Sequence, residues 1–258
     1  MNLPIRSWLV LTPGLVGTLW SADPPSPPVL VAELRFSSAG TPARFVATNR
    51  IRGTTCEVRR AVGTEPTRAG TAIVFGGHPE QGVTLGSLDL QPPATILFWV
   101  KRAAAPVAHP AGKQRPEYAQ EHAAGRGRLL SPATGQPRGP GSENLSGFLS
   151  IAPDGVRIWY GKERWKIIIP GPLPADRWLH LAIAFDQNGE ATGYLDGRRH
   201  GGTRATFEPG PLPVALFAAA LDKGYGYPFA GAVDEVRLYQ GTLDDAAIAA
   251  LASQSPER

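Results

Sequence analysis

The chain has 258 residues, 42% of them hydrophobic and 19% charged, which supplies enough apolar material for a core and excludes a globally disordered chain. Its formal charge of +4 is matched by one segment, 101–146, where seven Lys/Arg stand against three Glu; no basic stripe interleaved with aromatics marks a nucleic-acid face. The single cysteine, Cys56, excludes an intrachain disulfide and a cysteine-rich zinc site, and reads as a small buried apolar residue.

Arg6 and the mainly apolar run from Trp8 to Leu19 have the order of a signal peptide, with Ser21 and Ala22 as small residues at a cleavage point. Pro13 and Gly14 interrupt the run, and it is too short for an ordinary transmembrane helix. The expected organisation is a leader over 1–22, a stiff Pro-rich spacer over 23–28, one domain over 29–252 and a tail over 253–258. The expected setting is secreted, periplasmic or cell-envelope, with no membrane span in the mature chain.

The strand series starts at Val29 to Phe36, where Leu30, Ala32, Leu34 and Phe36 share one parity. A looser region holds short strands near Arg44–Ala47 and Cys56–Arg60. Thr71 to Phe75, Val83 to Leu85 and Thr95 to Val100 follow. Periodicity then stops: residues 103–146 carry six prolines and many glycines, which reads as a surface insertion. The pattern returns at Phe148–Ala152, Val156–Tyr160, Trp165–Ile169, Trp178–Phe185, Ala191–Leu195 and Arg198–His200, punctuated by Pro153-Asp154-Gly155, Gly161-Lys162-Glu163 and Asp196-Gly197. Asp-Gly between apolar runs is a strong short-range hairpin signal. Leu212–Ala218 and Gly231–Tyr239 complete the series. One helix is predicted over Asp245–Ala252, capped by Asp244. Short strands with a turn every dozen or so residues, and no helix of core length between them, predict an all-β, two-sheet antiparallel sandwich with one short C-terminal helix.

Three stretches carry a family resemblance. The first is Arg177-Trp178-Leu179-His180-Leu181-Ala182-Ile183-Ala184-Phe185-Asp186 with Gly193-Tyr194-Leu195-Asp196-Gly197. The second is Phe229-Ala230-Gly231-Ala232-Val233-Asp234-Glu235-Val236-Arg237-Leu238-Tyr239, followed by Leu243-Asp244-Asp245-Ala246-Ala247-Ile248. The third comprises Val31 to Phe36 and Ala72 to Gly77. In this order they resemble the concanavalin A-like lectin/glucanase superfamily, in particular its laminin-G-like (LamG) domains. The segment 103–146, Ser37 after the first strand's aromatic and Ala247 in the helix depart from the family pattern. The resemblance implies a jelly-roll of two curved sheets. It leaves function open, because this fold carries lectins, adhesion modules, glycosidases and spacers.

The chemistry points away from catalysis. Retaining glucanases of this fold use Glu-x-Asp-x-x-Glu, which is absent here, and the neighbours Asp234 and Glu235 are expected on opposite faces of a regular strand. No nucleophile elbow, zinc-protease helix, phosphate loop or dinucleotide fingerprint occurs. The five histidines show no ligand spacing, and His180 is expected to be structural and hydrogen-bonded. Trp99 and Trp178 are expected in the core. Candidate ligand-binding rings are Trp159 and Trp165, flanking the Gly161 turn, and Tyr225 and Tyr227 in a Gly-Tyr-Gly-Tyr loop; each taken alone also fits a packed position. Calcium is the one metal to consider, because members of the superfamily often hold one. The resemblance places Asp234 at a ligand position, and the alternative is a carboxylate held by loop N–H groups or an arginine. The expectation is a non-catalytic binding module for a glycan or an extracellular protein, with a ligand-free spacer and a glycosidase with an unrecognised acid pair as alternatives.

Overall fold

The computed structural model describes residues 26–39, 44–59, 61–68, 70–77, 81–88, 92–104, 127–132, 148–159, 165–188, 190–204, 212–216 and 229–254. They form β1 (Val29–Ala39), β2 (Arg44–Asn49), β3 (Thr54–Arg59), β4 (Ala61–Thr67), β5 (Gly70–Gly76), β6 (Gly82–Leu88), β7 (Ala94–Arg102) and β8 (Gly127–Pro132). After these come β9 (Phe148–Ala152), β10 (Gly155–Trp159), β11 (Trp165–Pro170), β12 (Trp178–Phe185), β13 (Glu190–Leu195), β14 (Arg198–Arg204), β15 (Leu212–Leu216), β16 (Ala230–Gln240) and α1 (Asp245–Ala252).

All ladders are antiparallel. A front sheet runs β2-β1-β16-β7-β12-β13-β14 and a back sheet runs β11-β10-β9-β8-β15-β6. β3 belongs to both: Thr54 to Glu57 pair with β2, and Val58 and Arg59 pair with β6. A strand that turns the corner between layers is how a folded-over sheet closes one side of a sandwich. Between the layers, Ile96, Phe98 and Val100 of β7 and Leu179, Leu181 and Ile183 of β12 meet Leu149, Ile151, Val156 and Ile158 of the back sheet. Each such side chain contributes about 1.5–3 kcal/mol by leaving water. β12 is buried at every residue, because α1 covers Ala182 and Ala184 on its outer face. The continuous apolar run Leu181 to Phe185 is what a strand covered on both faces requires.

One turn and one helix cap explain how α1 is seated. Asp196 (φ +49°) and Gly197 (φ +77°) both have positive φ, the two-residue hairpin geometry, and a Cβ on Gly197 would lie 2.9 Å from Ala249 Cα of the helix. The Asp244 carboxylate accepts from the Ala247 N–H at 2.7 Å, so the predicted cap forms without a reciprocal Glu.

Two elements depart from the sequence reading. β8 lies inside the segment read as an insertion; it pairs with β9 and β15 and buries Leu129 completely. Its two leucines are too short a run to register as a strand alone. The rest of 105–147 lies outside the described residues. β4 was also not anticipated: Ala61 to Thr67 is polar and contains Pro66, and it becomes a strand by pairing with β5.

Candidate functional site

The β10–β11 hairpin places two of the candidate rings. Trp159 and Trp165 occupy the last register pair of the ladder, directly opposed across the turn. Val156 and Ile158 face the core, so positions 157 and 159 belong to the outer face. On β11 the same face carries position 165 and Ile167, which is 43% exposed. A register shift near Arg157 lets Ile168 and Ile169 both point inward. Arg157 holds Asp154 in a two-point fork, Nε to Oδ1 at 2.7 Å and Nη2 to Oδ2. The outer face of this hairpin therefore combines two Trp positions, an exposed aliphatic and a part-exposed ion pair. Alternation from Val156 and Ile158 was the signal for Arg157; the exposure of Ile167 was hidden because Ile167-Ile168-Ile169 is an unbroken apolar run. Tyr225 and Tyr227 lie outside the described residues.

Asp234 lies in the other sheet, apart from the hairpin. It is 1% exposed and stands opposite Trp99, which in turn stands opposite His180, so the three form a row on the outer face of the front sheet. Its Oδ2 accepts from the Thr67 hydroxyl at 2.7 Å and its Oδ1 from the Glu235 N–H at 2.8 Å. Burial pushes this carboxyl above its ordinary range, while the two hydrogen bonds hold it back. The expectation that Asp234 and Glu235 point to opposite faces is corrected. A bulge between Asp234 and Arg237, with Glu235 at φ +47°, turns Glu235 onto the same outer side. There Glu235 meets Arg35 at 3.6 Å and Arg237 at 3.0 Å, and Glu33 meets Arg35 at 2.8 Å, Arg237 at 3.3 Å and Arg50 at 3.5 Å. This five-residue ion network was not read from the sequence, since its members come from β1, β16 and the turn after β2.

Both Asp234 carboxylate oxygens are engaged by protein donors, and burial favours its protonated form, whereas calcium asks for six to eight oxygens. Among the described residues, no three His, Cys, Asp or Glu side chains come together as metal ligands.

Trp99 and Trp178 are buried, but in a separate cluster with Ala72 and Ala232 on the outer face, outside the inter-sheet core. Lys101 Nζ lies 5.3 Å above the Trp178 ring and 2.6 Å from Glu65. His180 is fully buried and packs edge-on to Trp99 with centroids 5.1 Å apart. Neither ring nitrogen has a hydrogen-bond partner, which corrects the expected hydrogen-bonded histidine. Burial, helped by Arg237 and opposed by Asp196, pushes its pKa down to about 4. His180 is therefore a neutral, apolar-like packing group at pH 7.

The comparisons with known proteins agree with the architecture. The family model Laminin_G_3, described as the concanavalin A-like lectin/glucanases superfamily, matches residues 75–249, and the chain belongs to that family. No curated protein matches the chain. Among solved structures it is similar to domain 4 of AbnA, a GH43 extracellular arabinanase from Geobacillus stearothermophilus, in complex with arabinotriose. That likeness has TM-score 0.50 and 20% identity and covers 74% of this chain and 80% of that one. The chain is also similar to Trypanosoma rangeli sialidase in complex with sialic acid (TM-score 0.59, 18% identity), covering 86% of this chain and 32% of the sialidase. A third likeness is to the botulinum neurotoxin type G receptor binding domain (TM-score 0.54, 13% identity), covering 87% and 51%. At these identities the likeness concerns the fold. The chain spans about a third of the sialidase and about half of the neurotoxin domain structure.

Proposed function

We propose that this concanavalin A-like sandwich is a non-catalytic glycan-binding module that works outside the cytoplasm and uses the outer face of its β10–β11 hairpin. The observation that carries the reading is the register pairing of positions 159 and 165 at the end of the ladder, in line with exposed Ile167 and the Asp154–Arg157 fork. Directly opposed positions have Cβ atoms about 5 Å apart, a spacing at which a pair of tryptophans is suited to stack on a sugar ring. Absence of catalysis is supported by the commitments of the buried carboxylates. Glu33 and Glu235 are held by arginines, and Asp234 by a hydroxyl and an N–H, so these groups are not available as an acid–base pair across a scissile bond. Export is supported by the leader-like residues 1–22.

Isothermal titration with arabino-, xylo- and gluco-oligosaccharides tests the reading, alongside reducing-end release from the same sugars. Binding of at least one series without hydrolysis is expected. Trp159→Ala and Trp165→Ala should each weaken it about tenfold or more, corresponding to roughly 1.4 kcal/mol per lost ring contact. Binding that is unchanged in the double variant would remove the hairpin from the site, and turnover would remove the non-catalytic assignment.

A further inference from the structure

We propose that the glycan is acidic, and that Arg198 and Arg199 at the start of β14, next to His200, form a cationic rim that holds its carboxylate or sulfate groups; this rests on the hairpin reading above. All three residues are exposed, and no ion pair ties them to a described carboxylate. Elsewhere in the described residues, Arg35, Arg50, Lys101, Arg157, Arg177 and Arg237 each meet an Asp or Glu. The acids closest in the chain or register are already engaged. Asp196 accepts from Arg177 and from the His180 N–H at 2.9 Å, and Asp245 accepts from the Tyr194 hydroxyl at 2.7 Å. Among the described residues, then, no ion pair fixes these guanidinium groups, and the nearest acids, Asp244 and Asp245, lie by Tyr194, the register partner of Arg199. A guanidinium presents planar paired donors that match carboxylate and sulfate oxygens.

The fold brings this rim to the hairpin. Ile168 of β11 lies against Gly193 and Gly201, so closely that a Cβ on either glycine would stand 2.7 or 2.9 Å from the Ile168 carbonyl oxygen. The two sheets are therefore pinched together at this edge. His200 is one residue from that crossing and Trp165 is three, so at about 3.4 Å per strand residue the two lie within roughly 20 Å of each other. The register shift between Gly193 and Tyr194 leaves His200 as an extra residue, and a bulge relaxes the alternation that would otherwise divide neighbouring side chains between opposite faces. A glycan chain lying across the pinched edge would pass from the end of the β10–β11 ladder, where positions 159 and 165 pair, to the start of β14.

The test compares an oligogalacturonate, a neutral galacto-oligosaccharide of the same length, dextran sulfate and inorganic polyphosphate on wild type, R198A/R199A and W159A/W165A. Wild type should bind an acidic glycan at least about tenfold more tightly than the neutral one, with affinity falling as salt rises from about 0.05 to 0.5 M. R198A/R199A should lose that preference and the salt dependence while keeping the wild-type melting temperature. The uronate and sulfate arms identify the acid group. Equal affinity for neutral and acidic glycans overturns this inference and leaves the glycan reading standing; no binding to any glycan overturns both. Polyphosphate bound as tightly as glycan, and undiminished in W159A/W165A, reduces the rim to unspecific charge and overturns it. So does an R198A/R199A variant that binds acidic glycan normally but aggregates, because the arginines then only guard a sheet edge.

Discussion

Replacing Gly193 by alanine probes the pinched edge directly. The added Cβ would sit 2.7 Å from the Ile168 carbonyl oxygen and 2.7 Å from Ile169 Cγ1. Ordinary contact begins near 3.4 Å, so one strand must retreat by about 0.7 Å, and neither neighbour yields easily. The first is backbone at the β11 bulge, and Ile169 is fully buried. Overpacking of this kind costs about 1–3 kcal/mol, and the loss of glycine's unfolded-state freedom returns about 0.4–1 kcal/mol, leaving a net destabilisation of about 1–2 kcal/mol. For a domain of this size that corresponds to a fall in Tm of about 2–8 °C. Gly202→Ala is the internal control: its nearest neighbour, the Ala191 carbonyl oxygen, would be 3.4 Å away, so Tm should hold or rise. Thermal unfolding by circular dichroism of the three proteins side by side decides the matter. A G193A protein that melts with wild type, or a G202A protein that falls as far as G193A, would refute the packing of β11 on β13 and β14.

Two further outcomes follow from buried polar groups. His180 titrates near 6.5 when unfolded and about 4 when folded, so the unfolded chain binds the extra proton between those values; stability is complete above about 6.5 and is lost as pH falls towards 4, by on the order of 3 kcal/mol. H180L should show a flatter urea-derived stability profile over pH 4–7, and parallel profiles would exclude His180 as the source. Asp234→Ala strands the Thr67 hydroxyl and the Glu235 N–H, and should cost about 1–3 kcal/mol by chemical denaturation; the wild-type Tm should stay within about 1 °C between calcium and chelator. A clear rise with calcium would return Asp234 to metal binding.

How far the sequence carries depends on the range of the interaction that decides each feature. β9 and β12 end where their apolar runs end, and α1 spans the residues from Asp245 to Ala252 that its spacing and the Asp244 cap predict, because all three are set by local pattern. β4 and β8 exist through their partners, and a polar stretch with a proline or a lone Leu-Leu carries no trace of the ladder that recruits it. The same holds at the candidate sites. The opposition of Trp159 and Trp165 across a turn was legible from the hairpin, whereas the turn of Glu235 towards Arg35 depends on β16 exchanging β5 for β1 along one side. No window of sequence encodes that exchange. Trp99 and Trp178 illustrate a related limit: apolarity announces burial, but a sandwich strand has two faces, and which one is covered by a second layer is a tertiary fact.

The position of β16 has a consequence for how the molecule is made. Among the described strands of the front sheet it is the sole bridge between β1 and β2 and the group β7, β12, β13 and β14, and its Gln240 pairs with Val29. At about 5–20 residues per second, a ribosome needs roughly 10–40 s to add the residues between those two positions. Throughout that interval β1 carries one open hydrogen-bonding flank. Closure therefore waits until β16 has been made, and contacts of such sequence separation make for slow folding. A nascent or C-terminally shortened chain would expose that flank to neighbouring copies, so chaperone demand should rise when translation stalls before residue 230.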